Sequence, residues 1–237
     1  MTDEAGQAGR PLAEVVSEEI INLIIDNKLS VGDKLPNEYE LAERLGVGRS
    51  TVREAIKALI SRNVLEIRRG SGTFVSQKLG VAEDPLGLTF FKDKHKLALD
   101  LIEIRFMIEP RIASLAAMNA SEEEIADMTR LCMEVEELIL KGENHVEKDI
   151  ELHTCIARSS KNLVMPNLIP IIHTAIALFI DLTHSALKQE TIETHREVLE
   201  AIKAHHPNRA HDAMLLHLTH NRRNLEKGMR DNGLKED

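Results

Sequence analysis

From Leu12 the apolar residues recur with helical spacing, so that Val16, Ile20, Leu23 and Ile24 share one face. The pattern predicts a helix ending near Asn27, with Gly32 and Pro36 marking a loop. Asn37 stands three positions before Glu40, the spacing of a capping box, and predicts a short second helix over 38–45 that stops at Gly46. A third helix is predicted from about Arg49 to about Arg62, burying Val52, Ala55, Ile56, Leu59 and Ile60. The spacing then shortens to that of strands at 64–67 and 73–75, around the tight loop Arg68-Arg69-Gly70-Ser71-Gly72. Helix, helix, turn, helix, hairpin is the order of a winged helix-turn-helix, assigned to 11–76 behind a disordered stretch over 1–10.

After a linker over 77–92 only helical periods remain, at 94–119, 122–141, 145–159, 163–186, 190–205 and 208–229. Ser121 before Glu122, Glu123 and Glu124 is a helix start, with acids at the positive end of the helix dipole. Short connections predict antiparallel neighbours, and the run over 168–180, apolar on all sides, predicts a central helix. The expected fold is mainly α: an N-terminal winged helix-turn-helix and an all-helical antiparallel bundle over 93–230. The 168–180 run is interrupted by Pro170, His173 and Thr174 and falls short of the roughly 20 apolar residues a bilayer span needs. The start of the chain is polar and acidic, unlike a secretory signal. The expectation is a cytoplasmic protein without a membrane partner, in which Cys132 and Cys155 stay reduced.

Composition excludes little. Aromatic residues are 3% with no Trp, which argues against a β-sandwich and against base stacking on single strands. Charge says more. The net charge of -9 hides a basic island, because residues 30–78 carry nine Lys/Arg against six Asp/Glu. A basic module in an acidic chain fits nucleic-acid binding, and chance clustering alone could produce as much.

In the third helix Arg49 and Arg53 stand where a recognition helix meets base edges, and an Arg fork matches guanine O6 and N7. Ser50 and Thr51 suit phosphates at a helix start. Arg68, Arg69 and Gly70 sit in the wing. Periodicity alone leaves these equally readable as solvated surface charges. The segments Leu35-Pro36-Asn37-Glu38-Tyr39-Glu40-Leu41-Ala42, Leu45-Gly46-Val47-Gly48-Arg49-Ser50-Thr51-Val52-Arg53-Glu54-Ala55 and Gly70-Ser71-Gly72-Thr73-Phe74-Val75 resemble the DNA-binding domain of the GntR family of bacterial regulators. The resemblance implies that Arg49 and Arg53 read bases and that Gly70 enters the minor groove. Two positions depart from the family pattern: Tyr39 where an Arg is common, and Gly48 where Ser or Thr is common and would cap better.

Three of the eleven histidines fall on inward stripes. Asp149 and His153, four apart, share a face with Val146, Ile150 and Ala157; His195 lies with Ile192, Leu199 and Ile202; His217 lies with Ala213, Met214, Leu218 and Leu225. A shared divalent ion would satisfy a buried carboxylate and three imidazoles. The alternative is an Asp149–His153 hydrogen bond beside ordinary core histidines; His173, on the central helix, reads as core, with a pocket-lining position as its alternative. Cys155 points off the ligand face. Arg105-Phe106-Met107-Ile108-Glu109-Pro110, followed by Leu115-Ala116-Ala117, resembles the opening helix of the FCD ligand-binding domain that marks the FadR subfamily. The spacing of Asp149, His153, His195 and His217 is similar to that domain's metal motifs. The resemblance implies those four as ligands, with Arg105 facing an effector pocket. Ligand type does not choose among Zn, Ni, Co and Mn; zinc is the expected ion.

These readings combine into an effector-responsive regulator: a homodimer on a palindromic double-stranded DNA operator, acting as a repressor, modulated by a small carboxylate or sugar acid at the metal. A metal sensor is the second reading. A metallohydrolase fused to a DNA-binding head is the third; Glu109 is its nearest candidate base, and no HExxH-like Glu lies in the ligand motifs.

Overall fold

Helix α1 (Leu12–Asp26) turns Val16 and Ile20 fully inward, with Leu23 and Ile24 packed at the edge of the same core. In this computed structural model, which describes residues 10–78, 80–82, 84–180 and 188–231, the chain divides into two compact units, Met1–Leu86 and Gly87–Asp237.

In the first unit, α2 (Glu38–Leu45) begins at a complete capping box: the Asn37 side chain accepts from the backbone of Tyr39 and Glu40, and the Glu40 side chain accepts from the Asn37 backbone. It ends at Gly46, whose φ of 65° places it in the left-handed region that lets the chain turn into α3 (Arg49–Ser61). Gly48 precedes α3 without any side-chain cap, as its missing hydroxyl predicts. Val52, Ala55, Ile56 and Leu59 of α3 close the core against α1. The wing is an antiparallel pair, β1 (Leu65–Arg68) and β2 (Gly72–Val75), in the register Leu65↔Val75 to Arg68↔Gly72. A third short segment joins β2, through the bridge Lys34↔Phe74 and bonds from Gly32 and Leu35 to Val75 and Thr73.

The second unit is helical throughout its described residues: a 3-10 turn (Leu88–Phe90), then α4 (Lys94–Asn119), α5 (Glu122–Lys141), α6 (Val146–Ser159), α7 (Met165–Ile180), α8 (Lys188–Lys203) and α9 (Pro207–Asp231). Ser121 and Glu124 form the expected capping box of α5. The predicted extension of α7 to 186 lies outside the described residues. Pro110 and Pro170 sit inside α4 and α7 without ending them. The main core, from Ile112 and Ala116 through Met128, Leu152 and Ile202 to Met214 and Leu218, joins α4, α5, α6, α8 and α9. Among the described residues no helix is long and apolar enough to cross a membrane.

Candidate metal centre and nucleic-acid interface

The first turns of α3 expose Arg49, Ser50 and Arg53, with Thr51 half-buried. Arg53 is not free: its Nε lies 3.2 Å from both carboxylate oxygens of Glu38, and its Nη2 donates to Glu38 Oε2 at 2.7 Å. The guanidinium fork that would match a guanine is thus occupied by a carboxylate from α2. The contact holds the Glu38 carboxyl below its usual range, chiefly by hydrogen bonding. In the wing, Arg68 lies over the Phe74 ring at 4.3 Å and pairs with Glu66 at 2.9 Å, while Arg69 and Gly70 are exposed at the tip. Gly70 has a φ of 74°, and a Cβ built there meets nothing within 4 Å. Tyr39 is exposed near the start of α2.

In the second unit α6, α8 and α9 bring His153, His195 and His217 together. All three are buried, and one nitrogen from each lies within 4.8 Å of the others. The rings of His195 and His217 stack at 4.5 Å, and that of His153 lies 5.2 Å from His217 and 5.5 Å from His195. Asp149 Oδ1 stands 3.3 Å from His195 Nε2 without forming a hydrogen bond to it. Among the described residues, the buried side-chain atoms without any hydrogen-bond partner are His153 Nε2 and both ring nitrogens of His195. Buried polar atoms are nearly always paired, so three orphans on two facing rings mark a place for an absent partner. The set of three imidazoles and a carboxylate suits a divalent transition ion. Cys155 is buried in the apolar core instead, and burial pushes its thiol up.

Glu109 of α4 governs the ring orientations. Its Oε1 accepts from Arg105 Nε at 2.5 Å and contacts His173 Nε2 at 2.9 Å; its Oε2 contacts His153 Nδ1 at 2.8 Å. A carboxylate only accepts, so both imidazoles carry their hydrogen on the nitrogen facing Glu109. His153 therefore presents a bare Nε2 to His195 and His217, the arrangement by which a carboxylate orients a metal-ligating histidine. Thr194 does the same for His217: its hydroxyl donates to the Glu190 carbonyl at 2.8 Å, so towards His217 Nδ1, 3.0 Å away, it accepts. His217 Nε2 is then bare and accepts from Asn221 Nδ2 at 2.9 Å. Sequence reasoning missed Glu109, His173 and Thr194 in these roles. The available signal was Arg105 and Glu109 four apart on the stripe of Ala98, Leu101, Ile102, Ile112 and Ala113, where charges need a reason to be buried.

The electrostatics favour ionised carboxylates at Glu109 and Asp149 and disfavour charge on His173, His195 and His217. Burial alone would raise the Glu109 carboxyl; Arg105, His173 and His153 outweigh it and hold the group well below its usual range. Burial pushes His173 and His195 down to about 4, and burial with His195 nearby pushes His217 well below its usual range.

Residues 12–75 match the family described as bacterial regulatory proteins, gntR family, and residues 100–220 match the FCD domain. The chain belongs to the GntR family. This GntR protein is 30% identical over 221 residues to the HTH-type transcriptional regulator YcbG of Bacillus subtilis, covering 93% of this chain and 92% of that one. It is 32% identical over 164 residues to the Glc operon transcriptional activator of Escherichia coli, 66% of this chain and 63% of that one. Among solved structures it is similar to Streptococcus agalactiae GntR, with a TM-score of 0.81 and 42% identity over 89% of this chain and 99% of that one. The fold is that of a GntR head with an FCD domain, and domains and relatives alike are those of DNA-binding transcriptional regulators. The metallohydrolase reading falls with them, and Glu109, its candidate base, is committed to Arg105 and two imidazoles.

Proposed function

We propose that this GntR regulator binds a palindromic operator as a homodimer and represses transcription until a small carboxylate or sugar acid binds beside a divalent ion in the FCD domain. Asp149, His153, His195 and His217 hold the ion, with zinc as the expected one. Support comes chiefly from one observation, the orphaned nitrogens of His153 and His195 in a buried centre. The ion supplies a Lewis-acidic anchor for a carboxylate. Arg105 spends two donors on Glu109 and offers its remaining N–H groups to the same effector. In the head, Arg49 and Arg53 read bases, Ser50 and Thr51 hold phosphates, and Arg69 and Gly70 carry the wing into a groove. An effector changes operator affinity only through unequal affinity for two states of the protein.

The test is metal analysis of the purified protein, then a thermal-shift screen of small organic acids, then operator binding with and without each stabilising acid. Asp149→Ala and His195→Ala should purify with less metal; unchanged metal content removes the site assignment. An operator affinity that responds to the ion alone makes the protein a metal sensor instead. Because one matched relative is named an activator, the sign of regulation is read in the same experiment by transcription from the operator.

A further inference from the structure

Helix α5 carries two stripes. Ile125, Met128, Cys132, Val135 and Ile139 are buried in the bundle. The other face exposes Ala126, Arg130, Met133, Glu137 and Leu140, which at helical spacing lie within about 40° of one line. Ala126, Met133 and Leu140 recur every seven residues, the spacing of a seam that packs on another helix. Met133 is 65% exposed and Leu140 69%, so nothing among the described residues covers this seam.

The seam borders an open groove between α5 and α8, whose ionic lining is four Lys/Arg and four Glu. Each of those cations is already paired, as Arg130 is with Glu134 at 2.7 Å and Lys141 with Glu137 at 2.6 Å. A surface with neither sign in excess does not draw in a polyanion or an acid. Its charges are instead set with opposite signs on either side of Met133: Arg130 stands three positions before it and Glu137 four after. When a second α5 is laid antiparallel across the first at Met133, each Arg130 faces the partner's Glu137. Each Ala126 then faces the partner's Leu140, small against large. A parallel pairing would set like charges against each other. The antiparallel patch complements itself about a two-fold axis, as an isologous dimer interface requires.

We propose that two copies of this chain pair through this face, α5 antiparallel to the partner's α5, with the two-fold axis passing beside Met133. The inference rests on the homodimer reading above and assigns its surface. Burying Met133 and Leu140 supplies the apolar centre of the contact, and the crossed Arg130–Glu137 pairs fix its register and direction.

The experiment is sedimentation equilibrium of the full chain. Arg130→Glu places two like-charged pairs in each interface and should raise the dimer dissociation constant at least about tenfold, and Glu137→Arg should do the same. Arg130→Glu combined with Glu137→Arg restores opposite signs and should return the constant close to that of wild type. Because both residues also pair within α5, cross-linking gives a reading independent of charge. Met133→Cys, beside the axis, should form a disulfide-linked dimer when oxidised with diamide. Met107→Cys, at a position 68% exposed on α4, should not, and Cys132 and Cys155 are buried. The proposed surface is overturned, and the homodimer reading left intact, by a wild-type dimer that neither reversal weakens, by a double variant as weak as the single ones, or by Met133→Cys cross-linking no faster than Met107→Cys. A wild type that stays monomeric at every concentration overturns both.

Discussion

Glu109 on α4 accepts the Nδ1 hydrogen of His153 on α6 across 2.8 Å, and this one bond sets which nitrogen of His153 faces the other imidazoles. It follows that Glu109→Gln, whose amide can accept at only one atom, leaves His153 or His173 misoriented. Metal affinity should fall about 10–100-fold, the usual effect of losing the group behind a histidine ligand. Thr194→Val should weaken it similarly through His217. Competition against a chelator of known affinity measures both; affinities equal to wild type sink the orienting role.

Removing Glu109 altogether has a separate cost. Glu109→Ala strands the Arg105 guanidinium, 3% exposed, without its counter-charge. Breaking a buried pair from one side costs about 3–5 kcal/mol, so the urea midpoint should drop sharply even in metal-free protein. Arg105→Met with Glu109→Gln should recover part of that loss.

The buried imidazoles make the metal-free protein sensitive to acid. His195 and His173 are pushed down to about 4, against 6.5 in an unfolded chain. Between those values the unfolded chain binds more protons, so stability is flat above 7 and falls as pH drops from 6.5 towards 4. Each of the two contributes at most about 3 kcal/mol over that window. Glu109, held low, adds its own loss only below 4.5. Chemical denaturation of chelator-treated protein at pH 7.5, 6.0 and 5.0 checks this, and identical stabilities at all three would falsify it.

In the head, Glu38 pairs with Arg53, the residue proposed to read bases. Arg53→Ala should abolish the preference for operator over scrambled duplex. Glu38→Gln should do something different: raise affinity for scrambled duplex by up to about fivefold, as an exposed pair worth at most ~1 kcal/mol is lost. Fluorescence anisotropy with both duplexes at several salt concentrations separates the two effects.

Gly46 turns the chain between α2 and α3 at a φ of 65°, with open space where a Cβ would stand. Gly46→Ala therefore meets no clash and costs only backbone strain, about 1–2 kcal/mol. Gly46→Asn should cost less, since Asn tolerates that region. A thermal midpoint unchanged in the alanine variant would rule out this account of the turn.

The head was legible because its punctuation is local. The box of Asn37 and Glu40, the glycine at 46 and the glycines of the wing fix boundaries within a residue or two, and the α3 stripe of Val52, Ala55, Ile56 and Leu59 is buried as its spacing predicts. The inward placement of His153, His195 and His217 was legible for the same reason: each shares a helix face with aliphatic residues. What the sequence hid is relational. Glu109 and His153 are 44 positions apart, and Glu109 and His173 are 64 apart. On α4 the spacing of Arg105 and Glu109 puts a charged pair on the buried stripe, but it does not say which imidazoles from other helices the carboxylate meets. His173 sits in an apolar run, where only its bond to Glu109 distinguishes it from a core residue.

The four proposed ligands lie on α6, α8 and α9, so an ion held by all of them ties Asp149 to His217 through a chain segment that includes α7 and α8. In polymer terms that is a reversible cross-link closing a long loop, and such closure lowers the entropy of the unfolded ensemble much as a disulfide does. It forms only after α6, α8 and α9 have come together, so metal content measures how much of a preparation has folded correctly. With the ion held as proposed, trace metal in the growth medium would become a determinant of how long the FCD domain survives proteolysis.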